Sequence, residues 1–552
     1  MLTTDILIIG GGLAALKSAV SALSSGLQVT VAVKGRLCSG ASFYPMMDMV
    51  ACQASIGEPG ADEQYLEEIM DASMGMADEE MNRVYIRDIR QRVREFPEIG
   101  VDRYRESDPK VACFATRARP TYVWSDWTRI RQNARAIFDA QSNARLLENT
   151  AVIALLTRAG TVNGAVLRRG EEREVIACRS IVLATGGFGD LFEHNLNTPD
   201  VSGDGQALAL AAGASLINLE FLQFIPGFIS PAYKTVFRET ALPYADGLQT
   251  CDGRDLLEAY LPNPADRAEC LRLRSAHGPF TCRTIAKYFD IAMMAEILRD
   301  PGPTRGFALR YRKEILQSKF TFIKPYVDWL REEKGVDITS QPIYIAPFYH
   351  AANGGVKIGR DTQTAVRGLF ACGEASGGIH GADRLGGHST GSCLVFGKIA
   401  GDNAARFAMG CQPLSIEPEQ ERDALMALYG GEGTLEPEPL LGQIRRLMWR
   451  AGGIIREEKP LAEAISQLCQ WRENFAAMPW LDTPKAEQAV KAAHFLTLGQ
   501  AVLTAMQNRR ESRGSHYRAD YPHLENAYAG RFEIRQAEGG LCLREEKPCE
   551  SA

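Results

Sequence analysis

The sequence predicts an α/β fold in three parts: a nucleotide-binding domain, a second domain inserted into it, and a C-terminal helical domain. Three observations carry this expectation. Residues 5–34 read as one uninterrupted strand–turn–helix–strand unit, through DILIIG, GGGLAA, ALKSAVSALSSG and LQVTVAV. Alternating helix and strand signals continue over 150–218, give way to loop-rich mixed structure over 225–345, and return over 364–408. Beyond about residue 415, Leu, Met and Ala recur at helical spacing between charged faces, and only the tail after about 540 reads as disordered.

Bulk composition narrows the function classes. The 552 residues are 45% hydrophobic and 24% charged, as in an ordinary globular protein, with length for two or three domains. A formal net charge of −6 gives no electrostatic reason to expect nucleic acid or an anionic membrane as partner. The 13 cysteines are scattered singly from Cys38 to Cys549, with no CxxC pair. They read as reduced thiols, and no clustered ligands mark a metal site or an internal iron–sulfur cluster. A strand begins within a few residues of Met1, and no apolar stretch reaches the roughly 18–20 residues needed to span a bilayer. The expectation is a cytoplasmic chain with no direct membrane span and a small-molecule substrate.

The first turn carries Gly10-x-Gly12-x-x-Ala15 between its strand and its helix. Gly10 permits the tight turn, and Gly12 leaves room for a pyrophosphate against the backbone. Ala15 lets the helix pack closely on the sheet, and the helix N-terminus favours anionic phosphates. This is a Rossmann-like arrangement. The acid expected after the second strand to hold an adenosine ribose is absent, because the chain there reads Val33-Lys34-Gly35. That weighs against a freely exchanging NAD.

Further glycine clusters lie far downstream: ATGG at 184–187, SGDG at 202–205, CGEASGG at 372–378 and RLGGHSTGS at 384–392. One cofactor touched by segments spread this widely must be long, and FAD is the natural candidate. The fold class becomes a Rossmann-like FAD-binding domain with an inserted α+β capping domain and a C-terminal helical domain.

These segments, in this order, together with GGVKIGRDTQTAVRGLFACGEASGG and ESRGSHYRADYP at 511–522, resemble the fumarate reductase, succinate dehydrogenase and L-aspartate oxidase flavoproteins nearly end to end. The resemblance implies an FAD-binding domain from 1–224 and 346–408, a capping domain over 225–345 and a helical domain over 409–552. It implies hydride transfer between flavin N5 and one substrate carbon, with a side chain across the plane handling the proton on the neighbouring carbon. The cofactor set it implies is Gly10, Gly12, Leu13, Ala14 and Ala15 at the first turn and Lys34 after the second strand. To these it adds Gly40, Ala41 and Ser42, then Ala184, Thr185, Gly186 and Gly187, Asp204, Glu374 and Ser389. Ala41 stands where the membrane enzymes carry the histidine that binds FAD covalently, which implies non-covalent FAD.

For the substrate, His350 in PFYHAANGG and Arg384 in ADRLGG match the family's histidine and bidentate arginine on a substrate carboxylate. Other positions depart from the family. The run LEFLQFIPG at 219–227 reads as a strand leaving a sheet, and Ile225 replaces the substrate-binding histidine of QFHPT. Met46-Met47-Asp48 replaces a segment of small residues, so that Ile225, Met46 and Met47 would line one end of the site. Counting back from Asp252-Gly253 without gaps puts Leu242 at the proton-shuttling arginine. A four-residue insertion would put Arg238 there instead, and Tyr244 and Tyr349 are further options. The substrate expected is a carboxylate-bearing or similar small acid other than simple fumarate or succinate. Electrons would come through a separate iron–sulfur or quinone-linked subunit, free reduced flavin or dioxygen. A flavoprotein subunit of a heteromeric reductase and a non-catalytic electron relay are the alternatives, and partner subunits could bring the chain to a membrane.

Overall fold

The computed structural model describes residues 1–43, 50–105, 109–124, 126–250, 253–299, 306–319, 323–413, 415–538 and 540–546. Met46, Met47, Asp48 and Asp252, all invoked above, lie outside them.

At the centre is a five-stranded parallel sheet in the order Leu369–Ala371, Ser180–Leu183, Ile6–Ile9, Val29–Ala32, Ala144–Leu147. Its strands ILII, VTVA and SIVL are buried along their whole length, as expected of a parallel sheet covered on both faces. Each fully buried Ile or Leu contributes roughly 1.5–3 kcal/mol of burial free energy, so this sheet is the stable frame for what is attached to it. The first helix, Leu13–Leu23, starts from Gly12 in an extended conformation and is Ala- and Leu-rich. It packs against the 23-residue helix His388–Gly410 at very short range. A Cβ at Gly401 would lie 2.2 Å from the Ser18 carbonyl oxygen, so only glycine allows this approach. The close packing brings the N-termini of both helices to the same side of the sheet.

The inserted segment has its own sheet, in the order Leu222–Ser230, Ile343–Ala352, Phe307–Tyr311, Ala245–Gln249, all antiparallel. Phe228, Leu242, Phe289, Leu309, Tyr326 and Ile345 belong to a core separate from the main one. The run LEFLQFIPG is a strand only from Leu222. Before it, Glu220 is fully buried and takes a 2.6 Å ion pair from Arg509 Nε, while its carbonyl accepts from Arg456 Nη1 at 2.8 Å. These arginines tie the region around ESRGSHYRADYP beneath the strand.

Leu242, where the ungapped count falls, is 3% exposed and packs inside the capping core. One expectation is corrected. The chain past 540 is ordered at least to Glu546: Gly540–Glu546 pairs with Arg531–Ala537, which pairs in turn with Leu216–Ile217. Alternation of Phe532 and Ile534 with charged residues gives this hairpin one buried face.

Candidate active site

A cavity of about 540 Å³ runs from the turn after the first strand to the underside of the capping sheet. Gly10, Gly12, Leu13 and Ala14 line it, with Lys34, Gly40, Ala41, Ser42, Ala184, Thr185, Gly186, Asp204, Glu374 and Ser389. Ala15 and Gly187 stand behind this lining. Ala15 is 1% exposed within the first helix, and Gly187 lies against the Glu374 carboxyl. Gly10 has φ +128°, and a Cβ there would meet the Ala184 carbonyl oxygen at 2.2 Å. Gly12 has open space in front of it, with its nearest neighbour Ser42 Oγ at 3.9 Å from an added Cβ. The turn is therefore tight at its first glycine and open at its second, a shape that admits a pyrophosphate.

An acid from a distant segment stands beside Lys34. Asp204 opens the helix Asp204–Ala211, and its Oδ2 accepts from Lys34 Nζ at 2.9 Å and from Ser202 Oγ at 2.9 Å. Burial opposes the Asp204 charge, but Lys34 and His494 outweigh it and hold the carboxyl far below the usual range.

At the other end, four separate segments converge. Arg384 Nη2 donates to Gln223 Oε1 at 2.5 Å. Gln223 is fully buried, and its Nε2, like Arg384 Nε, has no hydrogen-bond partner among the described residues. Burial pulls the Arg384 guanidinium below its ordinary range, with Glu374 opposing that shift. Burial pushes the Glu374 carboxyl up, although its Oε1 accepts from Ala352 N at 2.9 Å.

His350 joins them through a β-bulge. Gln223 pairs with Ala351 and Phe224 with Tyr349, so His350 is the extra residue and is turned toward the cavity. Burial and then Arg384 lower its pKa to about 4, so it is a neutral imidazole near pH 7. A guanidinium, an imidazole and two buried N–H donors lacking acceptors together make a site for an anion.

Beyond this cluster the wall turns apolar. Leu196, Ile225, Val236 and Phe237 line the cavity, the first three forming a small core with Ala346 and Phe348. Gln223 and Ile225, two residues apart on one strand, present about 6.5 Å apart on the same face. Arg238 and Glu239 reach the cavity from the capping side, and Arg238 Cζ lies 5.9 Å from the Tyr326 ring centroid. Tyr244 and Tyr349 do not line it: Tyr244 Oη donates to Ser318 Oγ at 2.9 Å, and Tyr349 stacks on Phe192 at 4.8 Å. Tyr244 is thereby tied to Ser318, while the buried Tyr349 hydroxyl has no hydrogen-bond partner among the described residues.

Sequence reasoning does not single out Gln223, Glu239 and Cys113 as lining residues, yet all three line the cavity. Gln223 carries a signal, an amide in a greasy strand two residues before the altered position. Cys113 carries none, since its place depends on a hydrogen bond from Gly386 N to the Cys113 carbonyl oxygen.

Residues 5–390 match the family described as FAD binding domain, and residues 442–538 match that described as Fumarate reductase flavoprotein C-term. The chain belongs to the fumarate reductase, succinate dehydrogenase and L-aspartate oxidase flavoproteins. Among the relatives of this flavoprotein is a subunit of the fumarate reductase (CoM/CoB) of Methanothermobacter marburgensis, 27% identical, with 94% of each chain covered. L-aspartate oxidase of Streptomyces coelicolor is 28% identical over 94% of this chain and 89% of its own. The Sdh1 complex of Mycobacterium smegmatis, in the apo form, has a chain of the same fold, with a TM-score of 0.82 at 24% identity, covering 100% of this chain and 95% of that one.

The flavoprotein is an FAD-dependent oxidoreductase. Its residues fit that cofactor: an open glycine at the first turn, two helix N-termini on the cavity and the Asp204–Lys34 pair in its lining. Among the described residues no helix is long and apolar enough to cross a membrane, and no group of three metal-ligating side chains converges.

Proposed function

We propose that the flavoprotein oxidises or reduces a bond next to the carboxylate of an acid whose far end is apolar. The observation that carries this reading is the Arg384–Gln223 pair, which leaves two buried N–H donors without acceptors in the cavity that would hold FAD. A carboxylate supplies the acceptors and the negative charge that the desolvated guanidinium lacks. His350, neutral and turned inward by its bulge, adds a third donor. About 6.5 Å along the same strand, Ile225 offers no second anion contact. Fumarate or succinate would therefore leave one carboxylate against Leu196, Ile225 and Val236 without a hydrogen bond, a cost of several kcal/mol. An acid with an alkyl or aryl group at that end buries it instead.

FAD bound here supplies hydride transfer at its isoalloxazine ring, and Ala41 leaves it non-covalent. The protein's residues do the rest. Arg384, Gln223 and His350 orient the carboxylate, the apolar wall excludes water, and Arg238 on the capping side carries the proton. The cofactor is held by Gly10, Gly12, Leu13, Ala14, Lys34, Gly40 to Ser42, the 184–187 turn, Asp204, Glu374 and Ser389.

The test is an anaerobic screen of mono- and dicarboxylic acids that follows flavin absorbance, repeated with Arg384→Ala. Bleaching or reoxidation by acids with one apolar end, lost in the variant, supports the reading. A yellow protein that no acid changes would leave electron relay as the role, and an unchanged response in Arg384→Ala would remove the clamp. A second reading concerns electrons. Because the M. marburgensis relative belongs to a multi-subunit enzyme and is matched over 94% of its length, we propose that a separate electron-transfer protein docks on this chain and could bring it to a membrane.

A further inference from the structure

Behind Asp204 the helical part of the chain contributes a chain of buried hydrogen bonds. His494, on the helix Ala486–Asn508, places Nδ1 2.8 Å from Asp204 Oδ1. Its Nε2 lies 2.9 Å from the Tyr429 hydroxyl, at the end of the helix Gln420–Tyr429. That hydroxyl has one proton and donates it to the Ile153 carbonyl at 2.6 Å. The ionised Asp204 carboxylate has only acceptors to offer, so Nδ1 donates to it, and Tyr429 holds the ring from the other side. His494 and Tyr429 are each 1% exposed, so water does not complete these bonds.

The same count locates the acceptor that remains. An ionised carboxylate offers about four acceptor positions. On Asp204, Oδ2 takes Lys34 Nζ and Ser202 Oγ, and Oδ1 takes His494 Nδ1. One position is left, on Oδ1, in a residue that lines the cavity. Lys491, one turn before His494 on its helix, is already committed to Asp190 at 2.9 Å.

We infer that His494 is a positioning residue for the cofactor, fixing the Asp204 carboxylate so that its last acceptor faces the adenosine ribose. The inference rests on the proposed place of Asp204 among the residues that hold FAD, which it narrows to the adenosine ribose. It makes retention of FAD depend on a side chain of the helical segment, which itself lines no part of the cavity. Without His494 the carboxylate keeps its pair with Lys34 but can turn about it, and the ribose hydroxyl loses a fixed partner.

The test titrates apoprotein with FAD and, separately, with ADP, which carries only the adenosine half. Wild type, Asp204→Asn, His494→Ala, His494→Gln and Arg384→Ala are compared, with thermal melting of each apoprotein as a check on folding. Asp204→Asn and His494→Ala are expected to weaken both ligands about tenfold, equivalent to about 1.4 kcal/mol. His494→Gln, which keeps one N–H toward Asp204, restores most of that loss, and Arg384→Ala changes ADP affinity not at all. If Asp204→Asn weakens both ligands but His494→Ala does not, the inference is overturned while the Asp204 reading stands. If Asp204→Asn changes neither, that reading fails and takes the inference with it. Equal losses in His494→Ala and His494→Gln would make the effect one of packing, which also overturns it.

Discussion

Arg384 donates from Nη2 to Gln223 Oε1 at 2.5 Å, joining the loop before the helix His388–Gly410 to the first strand of the capping sheet. The bond spans the two parts of the molecule that enclose the cavity. It fixes the guanidinium while leaving Nε for a ligand.

Replacing Arg384 by Lys tests the fork rather than the charge. A lysine keeps the positive charge but cannot donate to Gln223 and to a carboxylate in one plane. The KM for the responding acid is expected to rise roughly 10- to 100-fold, from the loss of about 1.5–3 kcal/mol of charged hydrogen bonding. FAD content should not change. Steady-state kinetics with absorbance at the flavin band checks both.

Ile225→His tests the apolar wall. An imidazole there would meet a second carboxylate about 6.5 Å from the first contact. The ratio of kcat/KM for fumarate over that for an acid with one apolar end is expected to rise at least about tenfold. A ratio that stays put would mean that Ile225 does not select the substrate.

Gly10→Ala tests the turn. A Cβ there would sit 2.2 Å from the Ala184 carbonyl oxygen at φ +128°, where alanine is strained even in open space. The variant is expected to lose about 2–4 kcal/mol of stability and to purify with little FAD, as read by melting and by absorbance.

Acid stability tests the buried histidines. His388, 1% exposed at the start of its helix, has its pKa lowered to about 3 by burial and then by Arg384. The unfolded chain binds this proton near pH 6.5 and the folded chain does not, so stability falls as pH drops from about 6.5 toward 3. His388→Asn is expected to reduce that slope by roughly 1 kcal/mol per pH unit, measured by denaturant melts between about pH 6.5 and 4.5.

Much of this site can be read in the chain because its signals are local. The Gly10–Gly12 turn, the neighbouring Lys34 and the Arg384 loop each depend on a few consecutive residues, and the loss of the histidine at Ile225 shows in a five-residue motif. Register is harder. Leu242 fits an ungapped count, yet the capping core claims it, because a count along a loop says nothing about which side chains a second core will bury. The final hairpin escapes a reading of the chain because its charged residues resemble a disordered tail until Leu216–Ile217 supplies the neighbouring strand.

The sequence by itself determined the dinucleotide turn, the FAD-scale spread of glycine segments and the isoleucine at position 225 where relatives carry a histidine. Tertiary structure alone decided which groups are left unsatisfied. Asp204 meets Lys34 across 170 residues, His494 reaches Asp204 across 290, and Gln223 meets Arg384 across 161. Whether a buried donor or acceptor has a partner depends on what packs around it. That is a property of segments brought together by the cores, and no single stretch of chain contains it.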